Sequence, residues 1–499
     1  MLVLKKTEDF RWLELFPAKL EAALRQTARE LSATVFAAGG VVRDILLTRK
    51  VRDLDLVVSP DPIGFAASLA AGLKAPMFVL DEKEQVARIA WETEIDVTGF
   101  RASSVCIERD LQYRDFTINA MALAFSVQED AAGLSKLIDP CHGLADLKAG
   151  VIRVVSPSSF LDDPLRLLRA YRFMATLNFS LEDETARLLA EQRSSIHRSA
   201  PERIMYEMDL LFSSPNSASI LLQMQESGLL FELLPQLQRM EGVRQPLSHH
   251  LDVLDHSLAT VQRLEEIFEN PSQFFPGSPS IDAYFCDGRK KVLLKWAALL
   301  HDCGKPQSEG ERNGRITFYN HDRRGAALFK EIADHYRWSR KDTSFVRTLI
   351  DGHMWPFHLN NVFRRQPISK RSCLRLAKRY KDDLPGLFLL AMADSLAGEG
   401  PEKPEGLEVS LAALYREVDL IYRQDLALKM ADPPLLTGHD LIEHIGLEPG
   451  PIFKKILGRI RDMQLCGELG GKQQALDQAR QLLAKMTEYE RTPRKDNPL

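Results

Sequence analysis

Residues 53–58 read DLDLVV, and a short way upstream two adjacent glycines stand in AAGGVVRD, residues 37–44. On a strand the two-residue side-chain period puts Asp53 and Asp55 on one face and Leu54, Leu56 and Val58 on the other. Two carboxylates side by side repel, and burying them without a counter-charge is costly. A divalent cation resolves this, and paired oxygen ligands suit Mg²⁺ that also holds substrate phosphates. Gly39 and Gly40 can bring backbone N–H groups close to a phosphate chain, with VVRDILL starting a helix behind them. Together these residues describe a site for a nucleoside triphosphate, poised for in-line attack by a hydroxyl. The plainer alternative is a polar strand end beside a Gly-Gly turn.

A second constellation is spread over HHLDVLDHSLAT (249–260), AALLHDCGKP (297–306), NHDRRGA (320–326), DGHMW (351–355) and AMADSLA (391–397). A His-Asp pair at the end of an apolar helix needs a partner if it is buried. Imidazoles of His256 and His301 with carboxylates of Asp302 and Asp394 make a reasonable N/O metal site. His321 and His353 fill a second position or bind a phosphate, and Lys305 is placed to steady phosphoryl charge. Nothing in the spacing selects the divalent metal. The alternative is a helical fold that has lost its metal. His249 and His250 receive no role.

These groups need scaffolds to hold them. The chain has 499 residues, 45% hydrophobic and 27% charged, with net charge −4. That length exceeds one core and calls for several domains. An acidic total excludes a whole-surface nucleic-acid coat but not a local basic groove. The six cysteines lack CxxC spacing, which fits a reducing compartment. The first sixteen residues lack a signal-peptide pattern and no stretch reaches membrane-span length, so a cytoplasmic protein is expected. WLELFPAKLEAALRQTAREL (12–31) reads as one amphipathic helix. The runs TVFAA, DLDLVV, MFVL, ARIAW, EIDVTGF and NAMALAF read as strands of a small sheet. From about Asp162 onward the period is helical throughout, interrupted by a Pro/Ser-rich insertion at 270–290 and a solvated linker at 398–406.

Further segments carry a resemblance. RDLQYRDFTINAMAL (109–123), IDPCHGLADL (138–147), LDDPLRLLRAYR (161–172) and ERIMYE (202–207) follow GGVVRD…DLD in order. In this order they resemble the motifs of class II tRNA nucleotidyltransferases and bacterial poly(A) polymerases over residues 35–240. TGHDLIEHIGLEPGPIFKKILGRIRDMQLCGELGGKQQAL (437–476) is similar to that family's helical tail. The resemblance implies an α+β fold. A polymerase β-like mixed-sheet nucleotidyltransferase head (1–150) precedes an all-α neck (151–245), an HD domain (246–400) and a tRNA-binding body and tail (401–499). It implies catalytic Asp53 and Asp55 with Mg²⁺, and Asp96 as a third carboxylate on a neighbouring strand. A nucleotide pocket follows from Gly39, Gly40, Arg43, Asp44, Arg114, Asp115, Asn119, Asp162, Asp163, Arg166 and Arg169. Asp115 reads equally as a cap ahead of FTINAMAL. In LDDPLRLLR, Pro164 suits a first helical turn, and the i, i+3 and i, i+4 spacings put Asp163 and Asp162 on one helix face with Arg166.

The histidine and aspartate pattern resembles the HD phosphohydrolase superfamily over residues 248–400. That implies an unidentified divalent metal held by His256, His301, Asp302, His321, His353 and Asp394, with a phosphohydrolase activity. The implied partners are the tRNA acceptor stem and 3′ end, CTP and ATP, without a membrane. Two departures bear on the product. Tyr113 stands where the family has arginine, and only ASSVCI (102–107) separates EIDVTGFR from ERDLQYRDF. CCA-adding members carry a longer flexible segment there, so CC addition ranks ahead of full CCA addition, with a separate A-adding enzyme finishing the tRNA. A dedicated A-adding enzyme, a poly(A) polymerase, and an HD phosphohydrolase with an inactive head are the alternatives.

Overall fold

The computed structural model describes residues 12–51, 53–125 and 136–491. The basic C-terminal residues 492–499 lie outside them. The chain forms two compact units, Met1–Pro235 and Gln236–Leu499.

The first unit is built on a seven-stranded mixed sheet of order β3-β4-β5-β2-β1-β6-β7. Its strands are β1 (Thr34–Ala38), β2 (Asp53–Ser59), β3 (Met77–Asp81), β4 (Val86–Ala90), β5 (Glu94–Thr98), β6 (Ala122–Phe125) and β7 (Leu137–Ile138). The six apolar runs all become strands, and the two-residue β7 is the one with too little pattern to see. β2 and β5 pair in parallel, while the other neighbours are antiparallel. Alternation is strict in the centre: Leu54, Leu56, Ala87, Ile89, Ile95 and Val97 are wholly buried. Their intervening partners Asp55, Arg88 and Asp96 stay partly exposed on the opposite face.

The predicted helix over 12–31 is broken by Pro17 into a 3₁₀ turn, Trp12–Leu15, and α1, Ala18–Glu30. Proline ends the first turn because it lacks the N–H needed to continue it. The Gly39 φ of +89° makes the reversal from β1 into α2 (Gly40–Leu46). α3 (Pro62–Leu73) is capped by Asp61, whose carboxylate accepts the Gly64 N–H at 2.9 Å. It packs against β2, β3, β4 and β5. α4 (Ile107–Leu111) joins Ala38, Val57, Ala120 and Ala122 in a small cluster over the other face. α5 (Gly143–Ala149) and the helices α6 (Ser159–Asp162), α7 (Leu165–Leu177), α8 (Asp183–Gln192) and α9 (Pro201–Phe212) follow.

LDDPLRLLR departs from its helical reading. Asp162 closes α6, Asp163 is extended (φ −140°, ψ 100°), and Arg166 lies in α7 beyond Pro164. The residue before proline is pushed out of the helical region, so the two aspartates and Arg166 do not share one helix face.

The second unit is helical apart from a hairpin, Glu309–Arg312 with Arg315–Phe318. The long helical reading misses it because its strands are short, exposed and turned at Asn313-Gly314. The predicted insertion at 270–290 instead forms two short helices, Pro271–Phe274 and Pro279–Tyr284, that bury Phe275, Ile281 and Tyr284. The predicted linker at 398–406 is bonded to its unit. Gly400 N–H donates to Ser248 O and Glu402 N–H to Leu247 O, and a Cβ on Gly400 would meet Leu247 O at 2.2 Å. No described helix is long and apolar enough to cross a membrane, and the six cysteines are free.

Candidate functional sites

In the first unit the β2–β5 register sets Asp53 beside Glu94 and Asp55 beside Asp96. Burial raises the Asp55 carboxyl above its ordinary range, with Asp96 and Asp53 adding repulsion and Arg114 opposing. Asp96 is bound bidentately by Arg88 on β4, at 2.7 and 2.8 Å. The third carboxylate therefore has its own counter-ion one strand away, a partner that cross-strand register makes inevitable once both strands are placed. Arg114 lies against Gly39: a Cβ there would fall 2.4 Å from Arg114 Nη1 and 3.6 Å from Asp55 Oδ2. Burial beside Arg101 lowers the Arg114 pKa to about 10. Its guanidinium also reaches the wholly buried Asp110 at 3.4 Å.

Five of the residues expected to bind the nucleotide form one chain of charge and hydrogen bonds. Arg43 grips Asp44 at 2.9 and 3.0 Å and donates to Asn119 Oδ1 at 2.7 Å. Asn119 donates to Asp115 Oδ1 at 3.0 Å, and Arg169 donates twice to Asp115 Oδ2, at 3.0 and 2.6 Å. Burial would raise the Asp115 carboxyl, yet Arg169, Asn119 and the Phe116 N–H hold it well below the usual range. The cap reading of Asp115 is corrected: the turn Thr117–Asn119 has Phe116 at its cap position without a side-chain cap bond, and Asp115 Oδ1 accepts only the adjacent Phe116 N–H, at 2.8 Å, beside the Asn119 amide. Arg169 continues to the buried Glu207 of α9 at 3.2 Å, and Arg172 meets Glu207 at 2.6 Å.

Arg166 stands apart from the aspartates predicted beside it. It donates to Ser159 Oγ at 2.8 Å and Tyr113 O at 2.8 Å. Asp163 is bonded by Arg203 at 2.9 Å, and Asp162 accepts from Ser158 Oγ at 3.0 Å. Glu207, Asp110 and Arg88 are participants the sequence reading left without a role. The signal for Glu207 was a lone carboxylate at a core-facing position of an apolar helix.

In the second unit the helices Val253–Glu269, Gly288–Leu300, His321–His335 and Leu384–Ala397, with the segment at His353, bring all six predicted groups together. His256 Nε2 is 3.0 Å from Asp394, and His301 Nε2 is 3.1 Å from Asp302 Oδ2. Asp302 Oδ1 faces His321 and His353 at 3.4 and 3.7 Å. Nδ1 of His301, His321 and His353 each donates to a backbone carbonyl at 2.7–2.8 Å. That fixes the tautomer and leaves each Nε2 a lone pair. His321 and His353 then point two lone pairs at each other across 3.1 Å. His301 Nε2 and Asp302 Oδ1 are buried without an aligned hydrogen-bond partner. A buried cluster of facing acceptors is what a cation stabilises, so the donor set fits a divalent metal.

Burial opposes charge on Asp302, but His301 and Lys305 hold its carboxyl well below normal. Burial also lowers His353 to about 3. Lys305 binds Asp302 Oδ2 at 2.5 Å and Gln245 at 2.6 Å, so it neutralises the carboxylate rather than standing free for a phosphoryl group. His249, left without a role by the sequence reading, comes within ligand range of His256 and Asp394. The cluster opens into a cavity of about 640 Å³ whose wall includes Phe318, Tyr319 and Phe357.

Residues 35–153 match the family described as "Poly A polymerase head domain". Residues 178–240 match "Probable RNA and SrmB- binding site of polymerase A", and 253–399 match "HD domain". An A-adding tRNA nucleotidyltransferase of Deinococcus radiodurans is 32% identical over 446 residues, 88% of this chain and 93% of the relative. A CC-adding tRNA nucleotidyltransferase of Thermus thermophilus is 29% identical over 448 residues, 88% and 92% of the two chains. The fold resembles the Thermotoga maritima CCA-adding enzyme complexed with tRNA, with TM-score 0.60 and 23% identity, covering 94% of this chain and 97% of the other. With a head sheet carrying the Asp53–Asp55 pair, and relatives aligned along nearly its whole length, this chain is an enzyme that belongs to the tRNA nucleotidyltransferase family.

Proposed function

We propose that the first unit adds the two cytidines of the tRNA CCA end from CTP. The observation that carries this is the short, pinned connection between β5 and α4. Arg101 begins a 3₁₀ turn directly after β5, and its N–H donates to the buried Asp110 at 2.8 Å while its side chain reaches the same carboxylate at 3.3 Å. The segment has neither the length nor the freedom of the flexible loop on which the switch from C to A depends in the resembling CCA-adding enzymes. A-addition is the second reading, favoured by the greater identity to the Deinococcus A-adding relative, 32% against 29%.

In this reading Asp53 and Asp55 would hold Mg²⁺, whose charge would offset the triphosphate and favour ionisation of the RNA 3′-hydroxyl. Asp96, shared with Arg88, orients the terminal nucleotide. Gly39 and Gly40 lie against the phosphates with Arg43 and Asp44 behind them. Asn119 and Asp115 face the ribose, held in place by Arg169. Asp162, Asp163 and Arg166 read the base edge, with Asp163 exchanging Arg203 for the nucleotide. The second unit is a metal-dependent phosphohydrolase for phosphate esters, its metal held by His256, His301, Asp302, His321, His353 and Asp394. The cytoplasm is the proposed setting, with a separate A-adding enzyme completing the tRNA.

The test offers three tRNA transcripts, ending at the discriminator base, at one C and at CC, with CTP, ATP or both. Products that stop at CC with ATP present support the proposal. A single A added only to the CC-ended transcript establishes the second reading, and full CCA overturns both. Long ATP-only tails make the enzyme a poly(A) polymerase. No incorporation, together with phosphate-ester hydrolysis, leaves only the second unit active.

A further inference from the structure

The cross-strand register aligns four residues in one row across the sheet: Asp55 on β2, Asp96 on β5, Arg88 on β4 and Phe78 on β3. Residues paired directly across strands share a face, so the row lies on the face that carries Asp53 and Asp55. The Arg88–Asp96 bonds confirm this orientation at its centre. The opposite face is closed at its centre, where Leu54, Ile95 and Ile89 are wholly buried and α3 packs against all four strands, and opens only at the β3 edge, where Val79 is 43% exposed. On the row's own face, Arg88 keeps 40% of its side chain exposed and Phe78 is 55% exposed. A large aromatic left this bare on the catalytic face of a sheet, in register with a paired arginine, has no partner among the described residues.

The chemistry of the site says what comes there. In-line displacement at phosphorus requires the attacking and leaving oxygens to lie on opposite sides. Gly39, Gly40 and Arg43, against which the triphosphate lies in the reading above, follow β1 on one flank of Asp55. The attacking 3′-hydroxyl and the strand behind it must then arrive from the other flank, across β5, β4 and β3. Three strand spacings of about 4.8 Å put Phe78 roughly 14 Å from Asp55. At about 3.4 Å per stacked base that reaches roughly four nucleotides back from the RNA 3′ end, and fewer when the strand is stretched. Aromatic and guanidinium planes are the surfaces on which unpaired bases stack.

We propose that Phe78, with the face of Arg88 beside it, is a stacking platform for the single-stranded 3′ end of the RNA acceptor, holding a base two to four nucleotides upstream of the reacting hydroxyl. This rests on the assignment of Asp53 and Asp55 as the transferring centre. Because stacking tolerates any base, the platform positions the strand without reading its sequence.

The experiment measures incorporation of C into a tRNA lacking its 3′ end with Phe78→Ala and Phe78→Trp. It also measures fluorescence of the same RNA carrying 2-aminopurine at each of its last four positions. Phe78 lies on an exposed edge strand, so both variants are expected to fold, which circular dichroism verifies. The expected result is a KM for RNA raised about 5- to 100-fold in Phe78→Ala, the loss of one stacked base. The KM for CTP stays the same, Phe78→Trp restores the RNA value, and 2-aminopurine quenching at one upstream position disappears in Phe78→Ala alone. An unchanged RNA KM in an active enzyme overturns the platform and leaves the transferring centre standing. A change of oligomeric state in Phe78→Ala, read by light scattering, with RNA KM unchanged, assigns the exposed strand to a second copy and overturns the proposal. A wild-type enzyme that transfers nothing overturns the underlying reading with it.

Discussion

At Gly39 a single missing methyl group decides whether the first site can form. Its φ of +89° excludes other residues without strain of about 1–3 kcal/mol, and a Cβ would collide with Arg114 Nη1. Gly39→Ala is therefore expected to displace Arg114 from its place against the turn and raise the KM for CTP, with melting temperature lowered, measured by steady-state incorporation and calorimetry. Asp53→Asn and Asp55→Asn should each reduce transfer by at least about 100-fold while leaving tRNA binding in a filter assay intact, because they remove charge opposite the reacting phosphate and not the RNA-facing surface. That the two aspartates share a strand face was legible from the two-residue period, while their catalytic role came from the family resemblance. The counter-ion of Asp96 was not legible, because Arg88 belongs to a different strand and only register brings it there.

Between elements, Asp115 and Arg169 tie the segment ahead of β6 to α7, and Glu207 ties α7 to α9. Asp115 is a carboxyl with a depressed folded value, so its contribution to stability is fully present above its unfolded value near 3.8 and is lost as pH falls below it. Arg169→Met leaves Asp115 buried without its cation, a change of about 3 kcal/mol for a broken buried pair. Burial then dominates and raises the carboxyl. The variant should accordingly be less stable than the wild type near pH 6, with the difference shrinking toward pH 3, because a carboxyl raised in the folded state takes up a proton on acidification and sheds the cost of its buried charge while the wild type loses its ion pair; melting temperature against pH from 6 to 3 reads this. At this scale the sequence spacing misled at LDDPLRLLR, as it did across Pro17 and at the hairpin 309–318. Helical periodicity cannot see that Pro164 forces Asp163 out of the helix, which hands Asp163 to Arg203 and Arg166 to Ser159 and Tyr113.

At the scale of the molecule, each compact unit holds its own cluster of ionisable groups, so the two sites can be tested independently. A divalent metal should raise the melting temperature of the second unit, by about 2.7 kcal/mol of stability when present at 100 times its Kd. The facing Nε2 lone pairs of His321 and His353 are relieved only by a cation or a proton. His353→Ala is expected to abolish most of that metal-induced shift and the phosphohydrolase activity, while CTP incorporation by the first unit changes by less than about twofold. Metal content by mass spectrometry and the two activity assays on one preparation check this.

Backbone periodicity, read along the chain, supplied the inventory of candidate groups and their local geometry. Strand alternation placed Asp53 opposite Leu54, and helical periodicity marked the elements that carry His256, His301 and Asp394. Both follow from backbone periods that every chain obeys. Packing between elements selects which charges meet: Asp96 with Arg88, Asp115 with Arg169, and His256 with Asp394. It also drew His249 toward the second-unit cluster, and left Phe78 bare in the row of Asp55. Those pairings depend on strand register and helix packing between separate elements. No local spacing encodes them, because a long-range contact is selected by the burial of whole faces rather than by the residues that finally touch.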